Sequence, residues 1–429
     1  MVNSKRIYLV PFIGFLLIIL VSSIFLYLPI CNNKTITYID SLFVATSGVS
    51  TTGLSPVAIS EQFNFFGQLI VAILMEIGAF GFIVIVSYIW SVRDKKISMS
   101  DMILINDSIS SNDLHLVKEH LLFIGKYMLG IQIFGAIFFG VKFIPYFGFF
   151  SGIWYSIFHS ISAFSNGGFD IIGPAGFIVF ENEIYIQVVT IILMFLGSLG
   201  ILVIEDIRRN KILRFNRLKI QSRIVLSVSL FVIIVPVVLF LLLENNMSII
   251  NSIFTAITTR STGFTVVDMT KLSLFSKYII MILMLIGGGP ASTSGGIRIL
   301  PSVIAGATIL ATLKGQDRTI IFNRRIPDFL IKKSFTIITI FVMVLFIACS
   351  VFYSLNNIGS LNVIFESISA VTNTGLSITN YSNLNFVGEM VLITLMFVGR
   401  VGPLSMILIF VRDDNKNKFI EYPDANIII

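Results

Sequence analysis

Four short segments of this chain carry residue types that can coordinate a desolvated ion. Aligned on glycine they read VSTTGLS around Gly53, FSNGGFD around Gly168, TRSTGFT around Gly263 and VTNTGLS around Gly375. An ion in lipid needs its hydration shell replaced, and rings of backbone carbonyls do this without a buried acid. Glycine reaches positive φ with no Cβ clash, so these four glycines can turn successive carbonyls toward a common axis. The candidate ion-binding residues are therefore Thr51, Thr52 and Gly53; Asn166, Gly167 and Gly168; Ser261, Thr262 and Gly263; and Asn373, Thr374 and Gly375. Small residues also permit close helix packing in membranes. Four copies in register, each between two apolar runs, favour coordination.

The elements that must hold such loops are legible around them. Each copy ends a short amphipathic run, LFVATSGVSTTG, IFHSISAFSNGG, IFTAITTRSTG or IFESISAVTNTG. At about 10 to 14 residues these runs are too short to span a bilayer and fit re-entrant half-helices. Such a half-helix aims the negative end of its dipole, about half an elementary charge, at the loop. Outer helices are expected near 7–29, 120–141, 222–243 and 333–355, and inner helices near 63–92, 183–205, 275–313 and 386–411. The expected fold is an all-α polytopic membrane protein with eight transmembrane helices in four helix–pore loop–helix repeats around one central pore. The repeats cover 1–92, 93–206, 207–313 and 314–412, and 413–429 form a cytosolic tail.

Composition agrees. Hydrophobic residues make up 55% and charged residues only 12%, against about 25% charged in soluble domains. The first apolar run, after Lys5 and Arg6, is too long for a signal-peptide core and has no small-x-small cleavage site. Cys31 and Cys349 show no paired spacing, and His115, His120 and His159 form no ligand cluster, so no metal site, cofactor or enzyme is indicated. The net charge of +7 reflects topology rather than nucleic-acid binding. Lys5, Arg6, Arg93, Lys95, Lys96, Lys118, Arg208, Arg209, Lys211, Arg214, Arg217, Lys219, Arg223, Lys314, Arg318, Arg324, Arg325, Lys332, Lys333, Arg412, Lys416 and Lys418 fall on one side of the expected spans. Only Lys34, Lys142, Lys271 and Lys277 fall on the other. The rich side is cytoplasmic and holds both termini. The loops between repeats are too short for a soluble catalytic domain, and the Ile-rich tail docks on a subunit or partner, or frays.

The third inner run is interrupted by Gly287, Gly288, Gly289, Pro290, Ser292, Thr293, Ser294, Gly295 and Gly296. Freed backbone at membrane depth is tolerated only where protein or a wet cavity satisfies it. Residues 287–296 are thus expected below the loops as a flexible plug, a simple packing kink being the alternative. Arg400 lies mid-way along the fourth inner run, where a lone charge costs roughly 2.5–3.5 kcal/mol at the bilayer centre. It must face the cavity or an acid, and Glu76 is the acid of matching depth. Arg260 is expected to brace the third loop through backbone carbonyls or Asp268.

With these motifs in place, the chain resembles the Trk/Ktr/HKT superfamily of K⁺ transporters, and most of all its KtrB type. The resemblance rests on the four loop motifs, GGGPASTSGGIR and GRVGP, and covers nearly the whole chain. Thr259 stands where that family commonly has Pro, and Ala79 where it has a second Gly. The two extra N-terminal helices usual in TrkH-type chains are not seen. The resemblance implies a homodimer with one pore per subunit in the plasma membrane. It further implies K⁺ uptake often assisted by Na⁺, and gating by a cytosolic ring of KtrA- or KtrC-like RCK subunits that carry the nucleotide. It also makes the glycines a K⁺ filter and 287–296, with Arg400 below the filter, the gate. The competing reading is an alternating-access carrier for a small cation, which predicts two matched interruptions in pseudo-symmetric halves. One interruption and four equivalent loops favour a pore.

Overall fold

The computed structural model describes residues 4–81, 117–210, 215–245, 247–290, 292–356, 358–379, 381 and 384–410. The basic stretch 82–116, with Arg93, Lys95 and Lys96, and the tail from 411 onward lie outside the described residues, as does the end of the expected first inner helix.

Four long helices carry the apolar runs: α1 (Ser4–Tyr27), α4 (Val117–Phe147), α8 (Ile220–Leu243) and α12 (Asp328–Leu355). Each contains a stretch long and apolar enough to cross a membrane. A 24-residue helix is about 36 Å long, enough for a hydrocarbon core of about 30 Å. Their outward faces remain apolar and exposed: Ile133 is 61% accessible and Phe346 72%. α4 runs to Phe147 rather than 141, and Gly148 (φ 84°) then turns the chain directly into the next helix.

Each long helix is followed by a short one: α2 (Tyr38–Ser50), α5 (Phe149–Phe164), α9 (Ile249–Thr258) and α13 (Ser360–Val371). Thr37 and Ser248 start α2 and α9 by accepting the amides of Asp40 and Asn251, as good N-cap residues do. The inner segments come next. α3 (Phe65–Phe80), α6 (Ile184–Leu199) and α14 (Phe386–Val401) are each 16 residues long. α3 and α14 both start from an Asn cap, Asn64 and Asn385.

The expectation of continuous inner helices with a single interruption is overturned. α3, α6 and α14 all stop at a glycine in the positive-φ region, Gly81 (76°), Gly200 (88°) and Gly402 (92°). Beyond two of these breaks the chain resumes as α7 (Ile201–Asn210) and α15 (Pro403–Phe410). The α6–α7 pair is bent by 93°. In the third inner segment α10 (Leu274–Leu285) is separated from α11 (Ile299–Leu313) by the glycine-rich stretch. By length and apolarity alone, four helices among the described residues qualify as spans, or five if α6 and α7 form one broken span.

A departure from the all-α expectation is a hairpin in the basic connection after α11, β1 (Ile320–Ile321) paired with β2 (Arg324–Arg325). Phe322 (φ 48°) and Asn323 (φ 60°) form its turn, the two left-handed residues that a type I′ hairpin requires.

The helices pack in a cycle. α3 lies against α5, α6 against α9, α10 against α13, and α14 against α2, so every inner segment contacts the short helix of the next repeat and the fourth returns to the first. Apolar clusters fill the space between the helices, including Val44, Val71 and Phe158 in one and Phe254, Leu193 and Phe264 in another. The centre is instead polar: Ser47, Thr52, Ser162, Asn166, Thr258, Thr262, Ser369 and Asn373 are all buried there. Apolar outside and polar at the axis is the arrangement expected when lipid is the solvent.

Candidate functional site

The polar centre is built at the C-termini of the four short helices. In α2, α5 and α13 the helix ends with a paired hydrogen-bond pattern. Thr52 N donates to Ser47 O and Thr51 N to Gly48 O; Gly167 N donates to Ser162 O and Asn166 N to Ala163 O; Thr374 N donates to Ser369 O and Asn373 N to Ala370 O. This is a Schellman motif, which places one residue in the left-handed region just past the helix. Those residues are Thr51 (φ 53°), Asn166 (54°) and Asn373 (53°), and Ser261 (72°) takes the same place after α9. Two residues on, Gly53 (90°), Gly168 (66°), Gly263 (86°) and Gly375 (83°) also have positive φ. Each loop therefore turns twice in succession, at fixed spacing.

The four glycines meet one another. A side chain on Gly53 would run into the carbonyl oxygen of Gly167, at 2.7 Å; on Gly168, into that of Thr262; on Gly263, into that of Thr374, also at 2.7 Å; and on Gly375, into that of Thr52. Every step runs from one loop to the next in chain order, and the fourth closes on the first. The carbonyls of Thr52, Gly167, Thr262 and Thr374 thus belong to a closed ring that only glycine at the facing position admits.

The glycine-rich segment lies against one side of this ring and touches all four loops. Thr51 Oγ1 donates to Thr293 O (3.4 Å), and Asn166 Nδ2 donates to Thr293 Oγ1 (2.7 Å) and Ser294 Oγ (3.2 Å). Ser294 Oγ donates to Arg260 O, and Gly295 N to Ser261 Oγ at 2.9 Å. A side chain on Gly295 would meet Thr372 O at 2.7 Å. The segment is no slack plug in this conformation. Gly289 N donates to Ser198 O at 2.9 Å, and side chains on Gly287, Gly288 and Gly289 would collide with the backbone of Gly295, Ser198 and Leu199. Its glycines, with Pro290 opposite Gly200, serve close approach.

Arg400 joins the same cluster, but not to an acid. Nη1 donates to Thr293 O (2.7 Å) and Thr51 Oγ1 (3.1 Å), and Nη2 to Gly78 O. The expected pair with Glu76 does not form, because Glu76 sits on the far side of α3 and accepts from Gln132 Nε2 instead. Backbone carbonyls at the end of α3 and in the glycine-rich segment take the place of the carboxylate. Arg260 departs as well. It is 1% exposed and its side chain turns back to α8, where Nη2 donates to Ser229 Oγ at 3.0 Å. Asp268 is occupied in the connection between α9 and α10 by Thr270 and Lys271, and the Thr270 hydroxyl holds its carboxyl below the ordinary range.

A profile of the TrkH family, described as "Cation transport protein", matches residues 15–422. The chain belongs to the TrkH family. It is thus one of a group of cation transport proteins rather than of enzymes. The Potassium/sodium uptake protein NtpJ of Enterococcus hirae is 31% identical over 97% of this chain and 95% of its own length. The Ktr system potassium uptake protein B of Bacillus subtilis is 28% identical over the same shares. In fold, the crystal structure of the potassium transporter TrkH from Vibrio parahaemolyticus superposes with a TM-score of 0.77 at 16% identity, over 96% of this chain and 86% of that one.

Within this TrkH-family chain, two features escaped the sequence reading although each left a signal. The inner segments share Met-x-x-Gly-x-x-Gly or Pro: Met75–Gly78–Gly81, Met194–Gly197–Gly200, Met284–Gly287–Pro290 and Met396–Gly399–Gly402. The four methionines are fully buried. Side chains on Gly78, Gly197 and Gly399 would strike the carbonyls of Val49, Phe164 and Val371, the last turns of α2, α5 and α13. Second, the residue nine before the ring glycine braces the loop's exit in two repeats. His159 Nδ1 donates to Tyr155 O (2.6 Å), leaving Nε2 to accept from Ile171 N (3.3 Å). Glu366 accepts from Ser377 Oγ, Ile378 N, Thr379 N and Tyr381 Oη. His159, set aside in the sequence as a packing residue, has this defined partner.

Proposed function

We propose that this protein takes up K⁺ across the plasma membrane through a selectivity filter made by the four loops. The observation that carries the reading is the closed ring, in which each filter glycine faces the carbonyl preceding the next. Carbonyl rings replace the hydration of a monovalent cation, and the four helix C-termini around it add negative potential. In this reading eight spans form four repeats around one pore, the broken inner segments counting as spans, and both termini are cytoplasmic. Residues 287–296 and Arg400 are the gate. The names of the relatives, potassium/sodium uptake protein and Ktr system potassium uptake protein, support K⁺ as cargo, a part for Na⁺, which we read as activator, and a system of more than one component. The resemblance to KtrB-type chains extends the proposal to a homodimer under a cytosolic RCK-type ring.

The breaks at Gly200 and Gly402 are a matched pair of the kind an alternating-access carrier would have. The equivalent stop at Gly81 and the closed fourfold ring favour the pore. Radioactive Rb⁺ flux into proteoliposomes, with and without Na⁺, tests the proposal. Saturable Rb⁺ entry that external K⁺ suppresses and Na⁺ does not is the expected result. Na⁺ and Rb⁺ entering equally well would overturn it.

A further inference from the structure

Glu76 is left over by the ring, the segment and Arg400. Its Oε1 accepts from Gln132 Nε2, while Oε2 is buried with no hydrogen-bond partner among the described residues. It lines a cavity of about 320 Å³ between α3 and α5, walled by Ile73, Ile77 and Phe80 on one side and Trp154, Ile157 and Ile161 on the other. Glu76 is the single charged residue of that lining. Ile73 and Ile157 are 48% and 39% exposed, so the cavity opens sideways, along the surface that faces lipid in the proposed topology. A carboxylate oxygen left unpaired in apolar surroundings is costly, and such a group either takes up a proton or is met by a positive partner.

We propose that this cavity binds a lipophilic organic ammonium ion, with its charge on Glu76 and its apolar body against Trp154 and Phe80. Aromatic walls and one carboxylate are the chemistry that receives a protonated amine. A metal ion does not suit the site. Hard cations take six or more oxygens, and the lining offers one carboxylate beside a glutamine whose amide group already points at it. A phospholipid head group does not suit it either. Glu76 lies eleven residues from Phe65, the start of α3, which is about 16 Å along the helix and near the middle of a hydrocarbon core of about 30 Å. The ligand must therefore partition into lipid as a small amphiphile.

Trp154 reports directly, since the chain has two tryptophans and a W90F background leaves it alone. The full-length protein in nanodiscs is titrated with 4-phenylbutylamine and, separately, with 4-phenylbutanol, following Trp154 emission. The amine is expected to give a saturable change with at least tenfold higher affinity than the alcohol, a comparison that needs no change at Glu76. Glu76→Gln should bring the amine down to the affinity of the alcohol and leave the alcohol unaffected. Equal affinities for amine and alcohol, as a permanently protonated Glu76 would give, overturn the proposal. So do the absence of a saturable change with either probe and a Glu76→Gln protein that keeps its preference for the amine.

Discussion

The carbonyl oxygen of Thr52 occupies the space that a side chain on Gly375 would need. The two residues are far apart in sequence, and their contact closes the ring between the fourth loop and the first. Gly375→Ser adds a Cβ at a backbone of φ 83°, which costs about 1–3 kcal/mol in strain alone, and it must also push Thr52 aside. The expected result is a protein that inserts, with its Rb⁺ over Na⁺ preference in proteoliposomes reduced at least tenfold. Wild-type discrimination in a well-inserted variant would sink the filter assignment.

The ring is not equally tight. The carbonyls facing Gly53 and Gly263 lie 2.7 Å from the point where an alanine methyl would sit, whereas those facing Gly168 and Gly375 overlap it more closely. Alanine at Gly53 or Gly263 should thus be milder than at Gly168 or Gly375. Thermal unfolding in detergent, followed by size-exclusion chromatography after heating, should rank the four variants in that order, and the reverse order would show that the loops relax independently.

The ring itself could be read from the sequence because its requirement is local. Left-handed φ at two fixed positions selects Gly at one and Asn, Ser or Thr at the other, and both leave a pattern in every copy. The inner-segment breaks were harder to see. Gly81, Gly200 and Gly402 are single glycines inside apolar runs, where composition reads as continuous helix, and only their alignment with Met75, Met194 and Met396 marks them. The partners of Arg400 and Arg260 left no signal at all. Arg400 is met by backbone carbonyls of Thr293 and Gly78, which have no residue type, and by the hydroxyl of the distant Thr51, and Arg260 by a serine one helix away.

Glu366 gathers four donors from the exit of the fourth loop, so its removal would leave the amides of Ile378 and Thr379 and the Tyr381 hydroxyl without this acceptor. Each unsatisfied buried group costs about 1–3 kcal/mol. Glu366→Gln keeps one acceptor oxygen and should retain most of the stability while weakening selectivity. Glu366→Ala should lower the unfolding temperature clearly in the same heating assay. Equal behaviour of the two variants would assign the residue to packing alone.

Thr293 ties the glycine-rich segment to two other parts of the site, donating to Gly197 O at 3.1 Å and accepting from Asn166 Nδ2. Thr293→Val preserves shape and the carbonyl used by Arg400 while removing both hydroxyl bonds. If the segment obstructs the pore, as proposed, basal Rb⁺ flux without a cytosolic partner should rise severalfold. A folded variant with unchanged or lower flux would favour a packing kink.

Arg400 separates charge from bridging. Its guanidinium reaches Thr51, Thr293 and Gly78 at once, holding the first loop, the segment and the end of α3 together. Arg400→Ala removes both the bridge and the positive charge that a cation would meet on leaving the ring of the proposed pore. Arg400→Lys keeps the charge, but a single ammonium on a flexible stem cannot reproduce the planar fork. If repulsion in low-dielectric surroundings dominates, the Lys variant should stay as closed as wild type and only the Ala variant should leak. The three-way hydrogen bonding argues for the bridge: both variants should raise basal Rb⁺ flux, the Lys variant by at least half as much as the Ala variant. Flux through the Lys variant at the wild-type level, with normal expression and insertion, would return the role to charge alone.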